Sequence, residues 1–205
     1  MNSEEMLKKL RDSVSSRLSD KRYIHTLGVE KMAAKLAEFC LPEKKFELSV
    51  SALLHDITKE EAPAFHLEIL SRPEGILYKD ELSSTQVLHS FTAPYIIKRD
   101  YPEFATEEIL NAVEKHTVAD SFMSVFDEIL FLADFIEDGR KYPDSVATRK
   151  YVFDNMESGN VAKNISVLHR ACLMEIDSTL SHLKTMGKDI SERTLLAKKF
   201  LLSKI

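Results

Sequence analysis

Between Lys21 and Cys40 the apolar positions Val29, Met32, Ala33, Leu36 and Phe39 recur at helical spacing, and a second stripe, Phe46, Val50, Leu53, Leu54 and Ile57, follows Pro42. A stripe with a period near 3.6 residues has to be buried against another element, and Pro42 sits at a plausible helix start, so the pattern predicts two antiparallel helices packed face to face. Five glycines and six prolines among 205 residues fall well below the typical ~12%. That scarcity excludes collagenous, low-complexity and turn-rich all-β classes. The reading is an all-α fold.

The rest of the chain agrees with it. A loop is expected around Arg72-Pro73-Glu74-Gly75, then a helix from about Tyr78 to Arg99 bent near Pro94, and another from Glu103 to His116. Ser121, with Asp120 before it, is placed to cap a helix reaching Asp138, with Gly139 as its C-terminal stop. Asp144 to Ile205 reads as further helices whose apolar residues cover the core. At about 150 residues per domain, residues 1–205 are expected to form one large domain, or one domain plus a small appendage, with ample length for a core.

Twenty-eight Lys and Arg against 33 Asp and Glu give a net charge of −5, which argues against a nucleic-acid or anionic-membrane surface spread over the molecule. A phosphate pocket is still compatible with that balance. The opening MNSEEMLKKLRD mixes charges, and no apolar run approaches the ~18 residues of a membrane span. The expectation is a cytoplasmic protein. Cys40 and Cys172 lack CxxC spacing and are expected to be buried free thiols.

Four of the seven histidines stand in similar surroundings, at or near the ends of predicted helices. His25 precedes Val29 by four residues and shares its buried stripe, and Gly28 leaves open space beside it. His55 and Asp56 close the apolar run ALLHDI, where neighbouring side chains diverge by about 100° and can grip one ion off the flank between them. Asp134 lies within ILFLADFI, a costly place for a carboxylate unless a cation or strong donors meet it. His89 and His116 complete the set. Taken singly, His89 or His116 reads as a core residue bonded to a carbonyl, and Asp134 as a helix residue pairing with Arg140. Taken together, they form an imidazole and carboxylate set suited to iron, manganese or zinc, and without thiolates it is unlike a closed structural zinc site. His66, His169 and His182 sit in mixed sequence and read as surface or packing residues.

His25, His55-Asp56 and Asp134 resemble the H…HD…D signature of the HD-domain metal-dependent phosphohydrolases. RYIHTLGV (22–29), ALLHDITK (52–59), the LHS around His89, KHT (115–117) and FLADFIEDGR (131–140) are similar to the YqeK group within it, the symmetrical diadenosine tetraphosphate hydrolases. The likeness spans roughly Arg22 to Tyr142, with a motif core at about 21–143 and the helices of 144–205 packed on it. Two departures bear on the nucleotide pocket: HTVAD stands where a Gly is expected soon after the HT pair, and Pro94 follows His89 where small residues are more usual.

The resemblance implies an HD-domain helical bundle in which His25, His55, Asp56 and Asp134 hold iron or a similar divalent ion. His89 and His116 then face the same cavity, as ligands of a second ion or as phosphate contacts. A bound divalent ion lowers the pKa of its water from about 15.7 towards ~7, and Asp56, His89 and His116 are the candidate proton-handling groups. Three basic residues are placed to receive phosphate: Arg22 three positions before His25, Lys59 three after Asp56, and Arg140 just past Asp134. The substrate-binding set is then Arg22, His25, Asp56, Lys59, His89, His116, Thr117, Asp134 and Arg140. The expected reaction is symmetrical hydrolysis of a dinucleoside tetraphosphate to two nucleoside diphosphates. The alternatives are another HD phosphohydrolase, acting on nucleoside monophosphates, guanosine tetraphosphate or cyclic dinucleotides, and a non-catalytic nucleotide- or metal-binding module. The helices after Pro143 carry no chemistry of their own and are candidates for packing, for a homodimer contact or for closure over substrate.

Overall fold

The computed structural model describes residues 2–71 and 84–205, where ten α-helices and no strand build the fold. Helix α1 (Ser3–Ser15) is opened by Asn2 and Glu5, each side chain accepting the other's backbone N–H. Helix α2 (Asp20–Cys40) carries the first apolar stripe. Pro42 begins a short 3-10 turn, Pro42–Lys44, that leads directly into α3 (Lys45–Leu54). Val29, Met32, Ala33 and Leu36 are buried with Leu48, Leu53 and Leu54 in one core, and each fully buried Leu contributes about 1.5–3 kcal/mol. The expected pair of helices is present.

Helix α4 (Pro63–Leu70) begins with Pro63 at its first turn. Helix α5 (Leu88–Asp100) is shorter than the expected Tyr78–Arg99 segment: Ser84–Val87 is turn, and Pro94 lies inside the helix. The Arg72–Gly75 loop and the start of that segment lie outside the described residues. The Glu103–His116 helix divides into a 3-10 turn, Pro102–Phe104, and α6 (Glu107–Lys115), because the Thr106 side chain accepts the Ile109 N–H and starts a new helix.

Helix α7 (Val125–Ile136) differs from expectation at both ends. Ser124, not Ser121, is the cap, and it exchanges bonds with Asp127; the Ser121 N–H and hydroxyl turn instead to Asp120. Gly139 is no left-handed stop, since among the described glycines only Gly159 and Gly187 have positive φ.

Helices α8 (Pro143–Asn155), α9 (Val161–Thr185) and α10 (Glu192–Leu202) complete the chain. Leu168, Ala171, Cys172, Ile176 and Leu201 enter the same core as Leu36 and Leu130. Cys40 and Cys172 are buried free thiols. Among the described residues no helix is long and apolar enough to cross a membrane.

Candidate metal centre and its surroundings

Two histidines owe their placement to helix ends. His55 is the C-cap of α3 and His116 the C-cap of α6, where the last carbonyls lack intrahelical donors. The Nδ1 of His55 lies 2.6 Å from the Ala52 carbonyl, and that of His116 lies 2.6 Å from the Val113 carbonyl. Because a carbonyl only accepts, Nδ1 of each ring donates there, which turns Nε2 inward. Asp56 follows His55 directly, His89 enters from the first turn of α5, His25 from α2, and Asp134 from the last turn of α7.

All six side chains that the sequence singles out as ligands or proton carriers meet around Asp56. Its Oδ2 lies 3.3 Å from His55 Nε2 and 3.8 Å from His25 Nε2, and its Oδ1 lies 3.1 Å from His89 Nε2 and 3.7 Å from His116 Nε2. His25 Nε2 is also 3.0 Å from Asp134 Oδ1. The two Asp56 oxygens thus face different imidazoles. Burial penalises the Asp56 charge, but His55, His116 and His89 outweigh it and hold the carboxyl well below its usual range. Burial also opposes ionisation of Asp134, and contact with His25 and Arg140 overcomes it in the same way. Both groups therefore stand as carboxylates.

The donor set fits a divalent cation. His25, His55 and Asp134 each offer a ligand atom within 4.8 Å of the others, and so do His55, Asp56 and His116. The Nε2 atoms of His25 and His55 are buried without an aligned hydrogen bond despite the carboxylates beside them. Buried polar atoms are rarely orphaned, and these two point toward a common space, as ligands of one ion would.

Arg22 donates to Asp56 Oδ2 at 2.8 Å and Arg140 to Asp134 Oδ1 at 2.6 Å, so each guanidinium tethers a carboxylate of the cluster while lining an adjacent cavity. The pairing of Asp134 with Arg140 and its place beside the histidines occur together. Lys59 Nζ lies 3.3 Å from both His89 ring nitrogens and donates to the Gln86 carbonyl at 3.2 Å, and Thr117 Oγ1 is 3.2 Å from His89 Nε2. Burial lowers the pKa of Lys59 and pushes His89 down to about 3.

The sequence reading missed Glu137. Its Oε1 is 3.3 Å from His25 Nδ1, and its other oxygen accepts the Gly139 N–H. The space beside Gly28 is therefore filled by this carboxylate: a Cβ there would meet Glu137 Oε2 at 2.5 Å, and one on Gly139 would meet it at 2.8 Å. The two glycines, both visible near the motifs, were the available signal. Outside the cluster, His66 packs against Thr92, His169 pairs with Glu128 and His182 is exposed, in line with their reading as packing or surface residues.

The departure in HTVAD has a backbone meaning. Ala119 has φ 61° and is buried, a left-handed conformation that glycine adopts at little steric cost and alanine does not.

Residues 22–138 match the HD domain family model. The chain is 27% identical over 204 residues to the symmetrical bis(5'-nucleosyl)-tetraphosphatase of Bacillus subtilis (strain 168), covering 99% of each chain. It is 33% identical over 135 residues to the protein of the same name from Halalkalibacterium halodurans, covering 63% of this chain and 68% of that one. Among solved structures, a predicted HD superfamily hydrolase involved in NAD metabolism from Clostridium acetobutylicum superposes with a TM-score of 0.83, at 26% identity over 97% of both chains. HD domain hydrolases bind divalent metals, which is the chemistry this donor set suits. With the matched span running from Arg22, three residues ahead of the first histidine of the cluster, to Asp138, just past its last aspartate, the chain belongs to the HD domain family.

Proposed function

We propose that this HD-family hydrolase splits diadenosine tetraphosphate, or a close dinucleoside tetraphosphate, at its central anhydride into two nucleoside diphosphates. The observation that carries the reading is the meeting of His25, His55, Asp56 and Asp134, two of them with orphaned Nε2 atoms, directly beside Arg22 and Arg140. End-to-end likeness to a relative named for this reaction supports it. On this reading residues 1–205 act as one folded unit.

A divalent cation held by His25, His55, Asp56 and Asp134, with iron the first candidate and manganese or zinc accepted by the same donors, supplies Lewis acidity toward water and the phosphoryl group. The two faces of Asp56 suit a second ion, with His116 and His89 on its far side. The protein's own groups do the rest. Arg22 and Arg140, and Lys59 from the His89 side, bring fixed positive charge to the tetraphosphate. The oxygen of water bonds to one inner phosphorus, and the bond from that phosphorus to the central bridging oxygen breaks. The bridging oxygen leaves with the electron pair as a terminal phosphate oxygen of the second diphosphate. Asp56 orients the water, and the proton it releases passes to His116, with His89 beside it, the two imidazole Nε2 atoms lying 3.1 Å apart.

The test is product analysis on metal-loaded protein across a nucleotide panel. Two equal diphosphates from diadenosine tetraphosphate, with a loss of at least a thousandfold in Asp56→Ala, are expected. Orthophosphate or pyrophosphate from another nucleotide as the preferred reaction, or undiminished turnover in Asp56→Ala, contradicts the reading.

A further inference from the structure

Two cavities flank the histidine and carboxylate cluster on different sides. The first, of about 800 Å³, is lined by Arg22, His25, Arg140, Lys141 and Tyr142 and meets the cluster at His25. The second, of about 640 Å³, is lined by Lys59, Gln86, Thr117, Thr179, Lys188 and Ser191. Lys59 and Thr117 form the wall between it and the cluster on the Oδ1 side of Asp56: they lie 3.3 and 3.2 Å from the His89 ring, and His89 in turn lies 3.1 Å from Asp56 Oδ1. Each volume is within the ~300–1,000 Å³ of small-ligand sites.

Lys59 and Thr117 belong to the expected substrate-binding set, but the outer part of the second cavity is built by the C-terminal helices, to which the sequence assigned no chemistry. Helix α9 ends at Thr185 in a paired cap: the Gly187 N–H bonds to the Lys184 carbonyl and the Lys188 N–H to the Leu183 carbonyl, at 3.1 and 3.0 Å. Gly187, at φ +63°, supplies the left-handed residue this cap requires. The reversal carries Lys188 back over the cavity, where its Nζ lies 3.5 Å from Gln86 Oε1 on the far wall. Lys59 at the inner end and Lys188 at the rim place two positive charges along one path leading away from the cluster.

We propose that this second cavity is the subsite for the second nucleoside diphosphate half of the substrate, with Lys188 binding its phosphates and the turn between α9 and α10 forming its outer wall. The inference rests on the dinucleoside tetraphosphate reading above and deepens it. A substrate with a nucleoside at each end and its scissile bond in the middle needs a site on each side of the reacting phosphorus. The cavity at Arg22 and Arg140 holds one half, and the cavity at Lys59 and Lys188 holds the other.

Calorimetric titration of the metal-loaded protein with ADP tests this, alongside hydrolysis of diadenosine tetraphosphate by the same samples. Wild-type protein is expected to bind two ADP per chain. Thr179→Trp, which fills the second cavity, is expected to bind one, with an unchanged helical circular dichroism spectrum. Lys188→Ala, a milder change, is expected to weaken only one of the two binding events, by about tenfold, and to raise KM for the tetraphosphate with kcat within twofold. A wild type that makes two ADP from diadenosine tetraphosphate yet binds a single ADP overturns the second subsite alone. Two equal ADP events persisting unchanged in both variants do the same. A wild type inactive on diadenosine tetraphosphate instead overturns the underlying reading, and the subsite with it.

Discussion

The side chain that Gly28 lacks leaves room for Glu137: the vacant Cβ direction on α2 points at Glu137 Oε2, 2.5 Å away, and the same carboxylate reaches His25 Nδ1 with its other oxygen. A glycine thus admits the acid that fixes the orientation of a histidine one turn earlier in its own helix. Gly28→Ala should expel Glu137 and free the His25 ring. Loss of such an orienting partner typically costs 10–100-fold in metal affinity. Titration with manganese or zinc is expected to show that loss in Gly28→Ala and a similar one in Glu137→Ala, with helical content retained; affinity equal to wild type in both removes Glu137 from its orienting role.

Helix α7, which carries Asp134, depends on Ser124 for its start. Ser124→Ala should lower stability by about 1 kcal/mol through the lost cap. Ser121→Ala, which only breaks a contact with neighbouring Asp120, should stay within about 0.5 kcal/mol. Urea denaturation of the two variants distinguishes them, and the reverse order would contradict the observed helix start.

Ala119 holds a left-handed backbone that costs an L-residue roughly 1–2 kcal/mol, partly offset in any glycine variant by the greater freedom of the unfolded chain. Ala119→Gly should therefore gain up to about 1 kcal/mol in thermal unfolding, and a clear loss would contradict the strain.

Glu175 is buried on α9 with Oε2 unpartnered. Burial, reinforced by Asp134 and only partly offset by Arg140, holds its carboxyl well above the ordinary glutamate range. A group whose pKa is raised by folding favours the folded state fully below its unfolded value near 4.3 and loses that contribution as pH rises through the folded value. Glu175→Met should therefore raise the Tm above wild type at pH 8 by a few degrees, about 2–4 °C per kcal/mol for a chain of this size. The gain should shrink toward pH 4. A variant less stable at pH 8 than at pH 4, relative to wild type, contradicts the sign.

The cluster was legible because its residues break the apolar pattern where breaking it is expensive. Asp134 interrupts a nearly continuous hydrophobic helix, and His55-Asp56 ends one. Glu137 was hidden because an acid in FIEDGR reads as a solvated charge, and only the packing of α2 against the end of α7 brings it to His25, 112 residues away in the chain. Ser121 and Ser124 look alike as caps until the acid three residues further on is counted: Asp127 completes the reciprocal pair for Ser124, whereas Ser121 has only another serine there. Gly139 resembled a helix stop but serves as clearance for Glu137. The cavity at Lys188 had no local signal, since its walls come from Lys59, Gln86, Thr117 and the turn after α9. Tertiary packing alone unites them.

The measurement closest to the core of the account is the metal-to-chain ratio of protein purified without oxygen, compared between wild type and His55→Ala. Imidazole and carboxylate donors closing on one space predict at least one divalent ion per wild-type chain and essentially none in the variant, at equal helical content. A variant that keeps the wild-type ratio would show that His55 binds no metal and would contradict the centre around which the function is built.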